Sequence, residues 1–132
     1  MKILLSIIIT SICTLAMYAT HVSAADYIQY SSYNDGGSIG TAYYDKDSIS
    51  YPYTKKLLFI DKTDKTVIDV WTKHVINNNI ILMNKTFNCN DKSIKKNRLI
   101  VNNEEKDKSI IYGFEGIVPE TLDDVLLKIL CK

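Results

Sequence analysis

The segment TVIDVWTKHVINNNIILMNKTFNC, residues 66–89, carries the strongest strand pattern in the chain. Side chains in residues 66–76 alternate between two faces, as they do in a β-strand. One face carries Ile68, Val70, Thr72, His74 and Ile76, and the other carries Val67, Asp69, Trp71, Lys73 and Val75. Three asparagines follow at residues 77–79, and asparagine readily adopts the left-handed conformation of tight turns. The segment therefore predicts a β-hairpin with residues 80–89 as its second strand.

Further strands are predicted on both sides of this hairpin, and short polar turns join them. Towards the N-terminus we expect strands at residues 26–32, 38–44 and 56–61, with turns at 34–37, 45–48 and 61–65. Towards the C-terminus we expect strands at residues 95–101 and 108–114, separated by a polar break at 102–107. Parallel pairing needs crossovers of roughly a dozen residues or more, so the short turns predict an antiparallel meander.

The C-terminal residues have a helical pattern instead. Thr121 can serve as the N-cap, and Asp123 and Asp124 suit the positive end of a helix dipole. Apolar residues then recur at helical spacing, at Leu122, Val125, Leu126, Ile129 and Leu130. The fold class that we predict is α+β: a single antiparallel, meander-like sheet of about six strands, with one C-terminal helix packed on a face.

The first 24 residues have the pattern of an export signal. Lys2 supplies a positive start, residues 3–19 are almost wholly apolar apart from small hydroxyl side chains, and Ala24 offers a small side chain for cleavage. An uncleaved membrane anchor is the alternative, although such a span needs roughly 20 apolar residues. Ile12 before Cys13 argues against lipidation, because a small residue normally precedes a lipidated cysteine. We expect cleavage after Ala24, no membrane span after that cleavage, and one domain over residues 25–132.

The charge balance of this domain bears on its partners. The chain has 16 basic and 15 acidic residues, and Lys2 would leave with the signal, so the mature formal charge is zero. A balanced domain lacks the basic footprint of nucleic-acid-binding proteins, and we expect no nucleic-acid partner.

Two cysteines remain after the predicted cleavage, Cys89 and Cys131. An even pair in an exported domain is typical of a disulfide, which here would pin the end of the helix to the end of a strand. A metal site or a redox couple is the alternative, but the chain has no Cys-x-x-Cys motif and His74 is the only histidine left. A disulfide that closes about 40 residues would stabilise the fold by about 4 kcal/mol.

Reactive side chains are few in the predicted domain. His74 lies in the middle of a strand, and there is neither a free cysteine nucleophile nor a Gly-x-Ser-x-Gly motif. The carboxylate pairs Asp45/Asp47 and Asp123/Asp124 fall in a turn and in the first turn of a helix, where capping explains them. We therefore expect no catalytic residue, no metal site and no cofactor.

Two groups of side chains are suited to binding a partner. The first is tyrosine-rich and contains Tyr43, Tyr44, Tyr51 and Tyr53, and the second is basic and contains Lys92, Lys95, Lys96 and Arg98. Tyrosine provides a large contact area at a low cost in rotamer entropy, and a basic patch can meet an acidic partner. The alternatives are structural: tyrosine commonly covers a sheet face, and the basic residues can mark a solvated strand end.

Three short stretches also match one known family in order. They are AYYDKDSI at residues 42–49, TFNCN at residues 86–90, and a segment that runs from PETL at 119–122 to ILC at 129–131. Together they resemble the surface-adhesin protein E family of Gram-negative bacteria. The resemblance implies a twisted antiparallel sheet whose last helix is held by a bond between Cys89 and Cys131.

The resemblance also implies a function. It indicates a non-catalytic exported protein, periplasmic, secreted or associated with the cell surface, that contacts a protein partner in the host matrix or the cell envelope. In that family the ligand segment precedes the first cysteine and is basic and tyrosine-rich, whereas residues 71–85 here are rich in Asn and Ile. A second hypothesis, from another class, is a periplasmic inhibitor or a carrier of a small ligand such as haem.

Overall fold

The computed structural model describes residues 25–57, 60–106 and 113–132. The predicted signal segment and the cleavage position Ala24 lie outside the described residues. Residues 108–112 of the strand predicted at 108–114 also lie outside them, whereas Gly113 and Phe114 are described and belong to no strand.

Nine strands and one α-helix make up the described part of the chain. They are β1 (Tyr27–Asp35), β2 (Ser38–Asp45), β3 (Thr54–Leu57), β4 (Ile60–Thr63), β5 (Val67–Ile76), β6 (Asn79–Asn88), β7 (Ser93–Val101), β8 (Glu104–Glu105), β9 (Glu115–Gly116) and α1 (Leu122–Leu130). A short 3-10 helix at Lys46–Ser48 follows β2.

Seven of the strands form one antiparallel sheet. Its order is β1-β2-β5-β6-β7-β8, and β9 pairs with the beginning of β7. β3 and β4 pair only with each other among the described strands, as a small hairpin between β2 and β5 in sequence. The predicted antiparallel sheet with one C-terminal helix is thus confirmed, and the small hairpin is an addition to it.

Tight turns join three successive pairs of strands in the large sheet. Each turn has two residues with positive φ, at Gly36-Gly37, Asn77-Asn78 and Asn102-Asn103. Positive φ at both positions gives a turn whose twist matches that of the strands, and glycine and asparagine tolerate it best. The Asn102 side chain also accepts a hydrogen bond from the backbone N–H of Ile80 at 2.9 Å, which fixes this turn against β6. The turn predicted from the three asparagines is confirmed.

The strand predicted at residues 56–61 is wrong in its extent. β3 and β4 pair across this run, with Leu57 opposite Ile60 and Lys56 opposite Asp61. The chain therefore reverses inside the apolar run, and residues 61–63, which the sequence predicts as part of a break, belong to β4. A run of four to six apolar residues contains no signal for a reversal, because strand pairing depends on which backbone groups meet.

Helix α1 packs on one face of the large sheet. Leu126 and Leu127 are buried and form a single cluster with Val70 on β5, Phe87 on β6 and Ile94 on β7. No helix within residues 25–57, 60–106 and 113–132 is long and apolar enough to cross a bilayer. The short amphipathic helix instead buries its apolar stripe against the sheet.

Both ends of α1 are defined by side chains that the sequence singles out. At the N-terminus, the Thr121 hydroxyl accepts a hydrogen bond from the Asp124 N–H, which confirms the predicted N-cap. At the C-terminus, Cys131 forms a disulfide with Cys89, and the two Cα atoms are 5.6 Å apart. Cys89 is held directly after β6, where its N–H donates to the Thr66 carbonyl oxygen at 2.8 Å. The predicted disulfide is therefore confirmed.

Loss of the disulfide should lower the free energy of unfolding by about 4 kcal/mol, because the bond closes a loop between cysteines 42 positions apart. The double variant Cys89→Ser/Cys131→Ser can be compared with the oxidised protein by urea denaturation. The unaltered protein with a reductant is the matched control and should lose the same amount. A double variant as stable as the oxidised protein would contradict this prediction.

Candidate functional site

The two faces of the large sheet have different surroundings. Ile68, Val70, Thr72 and His74 on β5 are buried on the side that α1 covers, called the helix face below. The residues between them lie on the opposite side, called the Trp71 face below, and most of these are only half-buried. The alternation predicted for residues 66–76 is therefore observed, and it separates two surfaces with different chemistry.

A β-bulge in β7 decides which face each cation of that strand occupies. Lys85 pairs with Lys96 and Asn84 pairs with Arg98, so Asn97 is an extra residue between the two pairs. Its amide donates to the Asn84 side-chain oxygen at 2.9 Å. Simple alternation would put Lys96 and Arg98 on one face, but the bulge leaves Lys96 on the helix face and Arg98 on the Trp71 face.

The structure does not gather the four predicted cations into one patch. Lys92 lies in the turn between β6 and β7, with φ at 51°. Lys95 and Arg98 lie on the Trp71 face, and Lys96 lies on the helix face. The predicted basic patch is therefore divided between two faces and a turn.

The four predicted tyrosines are divided in a similar way. Tyr43 lies on the Trp71 face, opposite Lys73 of β5. Tyr44 lies on the helix face, where it packs against the core cluster. Tyr51 and Tyr53 follow β2 in the loop before β3 and are 37% and 56% exposed. Tyr43 takes part in a cation–π contact of the Trp71 face, with Lys73.

Cations lie over aromatic rings on the Trp71 face. The Lys73 ammonium is 5.0 Å from the centre of the Tyr27 ring and 5.7 Å from that of Tyr43. The Arg98 guanidinium is 5.4 Å from the Trp71 ring centre. These distances are typical of cation–π contacts. The Arg98 guanidinium also donates to a carboxylate oxygen of Glu105 at 3.0 Å. Among the described residues, Lys73 forms no ion pair.

An apolar area adjoins these aromatic side chains on the same face. Val75 pairs with Ile80, and Leu82 pairs with Ile100. At this end of the sheet Ile39 is 76% exposed and Ile80 is 42% exposed. Exposed apolar side chains on the same face as aromatic and cationic groups are suited to a protein-binding surface.

A groove lies on the helix face, between the beginning of α1 and the sheet. It has a volume of about 490 Å³ and is lined by His74, Met83, Lys85, Lys96, Leu99, Thr121, Leu122 and Asp123. Its walls combine apolar side chains from the sheet and the helix with charged groups from both. This composition and size are typical of small-ligand pockets.

A buried ion pair crosses the groove. The Lys85 ammonium donates to a carboxylate oxygen of Asp123 at 2.6 Å, and the Lys85 side chain is only 2% exposed. Burial lowers the pKa of Lys85 from its ordinary value, while the charge and the hydrogen bond of Asp123 act to raise it. A buried ammonium without a partner is unfavourable, so the pair fixes the beginning of α1 over β6.

An uncharged polar pair lies next to this ion pair. The Tyr30 hydroxyl is 3.5 Å from Nε2 of His74, and burial raises the pKa of Tyr30. Burial also lowers the pKa of His74 to about 4, and the positive charge of Lys85 acts in the same direction. His74 is therefore neutral at pH 7, and the groove contains one imidazole that can either donate or accept a hydrogen bond.

Within residues 25–57, 60–106 and 113–132, no three His, Cys, Asp or Glu side chains come together as a metal site would require. The groups that the structure does bring together are suited to binding: a charged groove on one face, and aromatic rings with cations on the other.

Sequence reasoning missed the residues that matter most on each face. The sequence pattern places Trp71 and Lys73 on one face of a strand without giving them a role, and it does not connect Lys85 with Asp123. The alternation of β5 was a usable signal for the first pair, because it places Trp71 and Lys73 on one face with Tyr43 of a neighbouring strand. Lys85 and Asp123 are 38 positions apart, and no local sequence pattern predicts their contact.

Comparison with known proteins gives no relative to argue from. No family model matches the chain. No curated protein and no solved structure matches it either. The resemblance to the surface-adhesin protein E family therefore stays a prediction.

The folded protein should lose stability as the pH falls from about 6.5 to about 4, because His74 then takes up a proton more readily in the unfolded chain. A pKa shift of this size, in a side chain at the edge of a groove, corresponds to a loss of about 2 kcal/mol in the free energy of unfolding. Urea unfolding at pH 7 and pH 4 should show this extra loss in the unaltered protein, whereas His74→Gln should lack it. Equal pH dependence in the two proteins would be the contrary result.

Proposed function

We propose that this chain is a non-catalytic exported binding protein that contacts a protein partner through the Trp71 face. One observation carries the proposal: Trp71, Tyr27 and Tyr43 share a face with two cations that lie over their rings. Tryptophan, tyrosine and arginine are the residue types that most often dominate binding energy at protein interfaces. The resemblance to the surface-adhesin protein E family points to the same kind of role.

The chemistry of the face indicates what the partner would present. Lys73 is held between two tyrosine rings and is not paired with a carboxylate among the described residues. An acidic side chain of the partner would complete this contact. The exposed Ile39 and Ile80 would then be covered by apolar side chains of the same partner. We therefore favour a protein surface or segment that combines acidic and apolar residues.

In this proposal the four tyrosines of the tyrosine-rich group have different roles. Tyr43 would contact the partner directly. Tyr44 lies on the opposite side of the same strand, where it packs against the core cluster. Tyr51 and Tyr53 lie in the loop after β2, so they provide a comparison for Tyr43.

Binding should depend on the Trp71 face and not on tyrosine in general. Envelope and host-matrix proteins can be screened with the immobilised protein, and the affinity for any partner obtained can then be measured by surface plasmon resonance. We expect Trp71→Ala and Tyr43→Ser each to weaken binding about thirty-fold, as the loss of an interface hot spot does. Tyr53→Ser is the matched control, since it removes an exposed tyrosine from the loop, and it should bind like the unaltered protein.

The opposite pattern would reject this assignment of the binding surface. If Tyr53→Ser weakened binding while Trp71→Ala and Tyr43→Ser did not, the loop before β3 would be the binding site. Urea unfolding of each variant separates a lost contact from a lost fold.

A further inference from the structure

Two lysines lie directly opposite each other in the wall of the groove. Lys85 on β6 pairs with Lys96 on β7, and both side chains line the cavity on the helix face. Like charges directly opposite each other on neighbouring strands are unfavourable. Because the bulge at Asn97 follows immediately, the next cation, Arg98, lies on the other side of the sheet and adds nothing to this pair.

Each of these lysines forms an ion pair with a carboxylate, and the two pairs differ in how exposed they are. Lys85 and Asp123 form a buried pair, in which the side chains are 2% and 23% exposed. Lys96 and Glu115 form an exposed pair at 3.1 Å, in which the side chains are 41% and 55% exposed. Exposed ion pairs contribute little to stability, so Lys96 can exchange Glu115 for another anion at a small cost.

The buried lysine also has hydrogen-bonding capacity to spare. An ammonium group has three donors, and among the described residues Asp123 is the only acceptor that Lys85 contacts. Two ammonium groups and one carboxylate therefore line the groove, while the neighbouring His74 is neutral at pH 7. The lining itself thus has two positive charges and one negative charge, while Glu115, which pairs with Lys96 at 3.1 Å, is not part of that lining.

The rest of the groove is suited to an aliphatic group. Met83 and Leu99 contribute from the sheet, and Leu122 contributes from the first turn of α1. The Thr121 N-cap places the N-terminus of α1 at the same groove, and helix N-termini favour negative charge nearby. The volume of about 490 Å³ lies within the range of roughly 300–1,000 Å³ that is usual for small-ligand sites.

We propose that this groove binds a small aliphatic carboxylate, with its carboxylate group at Lys96, next to the buried Lys85, and its chain against Met83, Leu99 and Leu122. The carboxylate offsets the repulsion between the two lysines, and the chain removes apolar side chains from water. This site lies on the helix face, so it is independent of the protein-binding role proposed for the Trp71 face.

Octanoate is a suitable probe, and the measurement is a titration of the full chain followed by NMR. We expect shifts of the Met83 methyl and Leu99 methyl signals, with saturable binding. Octanol and octylamine have the same chain without the negative charge and should bind at least ten-fold more weakly. No shift in the groove signals, or octanol binding as well as octanoate, would overturn the proposal.

The variant Lys96→Gln tests the role of the charge directly. It removes one of the two opposed lysines and should weaken octanoate binding about ten-fold, which is about 1.4 kcal/mol. Lys95→Gln is the matched control, because it makes the same change one residue away on the Trp71 face and should leave octanoate binding unchanged. Equal losses in the two variants would indicate a general effect of charge and would overturn the proposed site.

Discussion

The attachment of α1 to the large sheet is the constraint on which the rest of the structure depends. A helix of nine residues is not stable by itself in water, since nucleation is costly and few hydrogen bonds follow it. Here Leu126 and Leu127 complete a core with Phe87 and its neighbours, and a disulfide from Cys131 fixes the end of the helix. Without that attachment the helix face of the sheet would lose its cover.

Covering one face makes the two sides of the sheet chemically different. On the helix face, the beginning of α1 brings Asp123 to Lys85 and borders an open groove beside the sheet. On the Trp71 face, aromatic rings and cations support one another at the surface. The small-ligand site and the protein-binding surface that we propose both follow from this asymmetry, and each uses residues that the other does not.

β-Bulges then adjust which side chains reach each surface. The extra residue Asn97 separates Lys96 from Arg98 and directs them to opposite faces. A register shift between Gln29 and Ser31 brings Tyr33 opposite Gly40 on the helix face, where its ring centre lies 6.1 Å from that of His74. A bulge is a property of two paired strands, so the alternation of one strand cannot reveal it.

The sequence by itself determined the elements with local signals: the antiparallel strands, the asparagine turn, the Thr121 cap and the pair of cysteines. Periodicity, turn propensity and capping act over a few residues, so each can be recognised as a local pattern in the sequence. Only the tertiary structure decided which cations share a surface and that Lys85 meets Asp123. It also placed the reversal between Leu57 and Ile60. These features depend on register and on contacts between distant residues, where a shift of one position moves a side chain to the other face of the sheet.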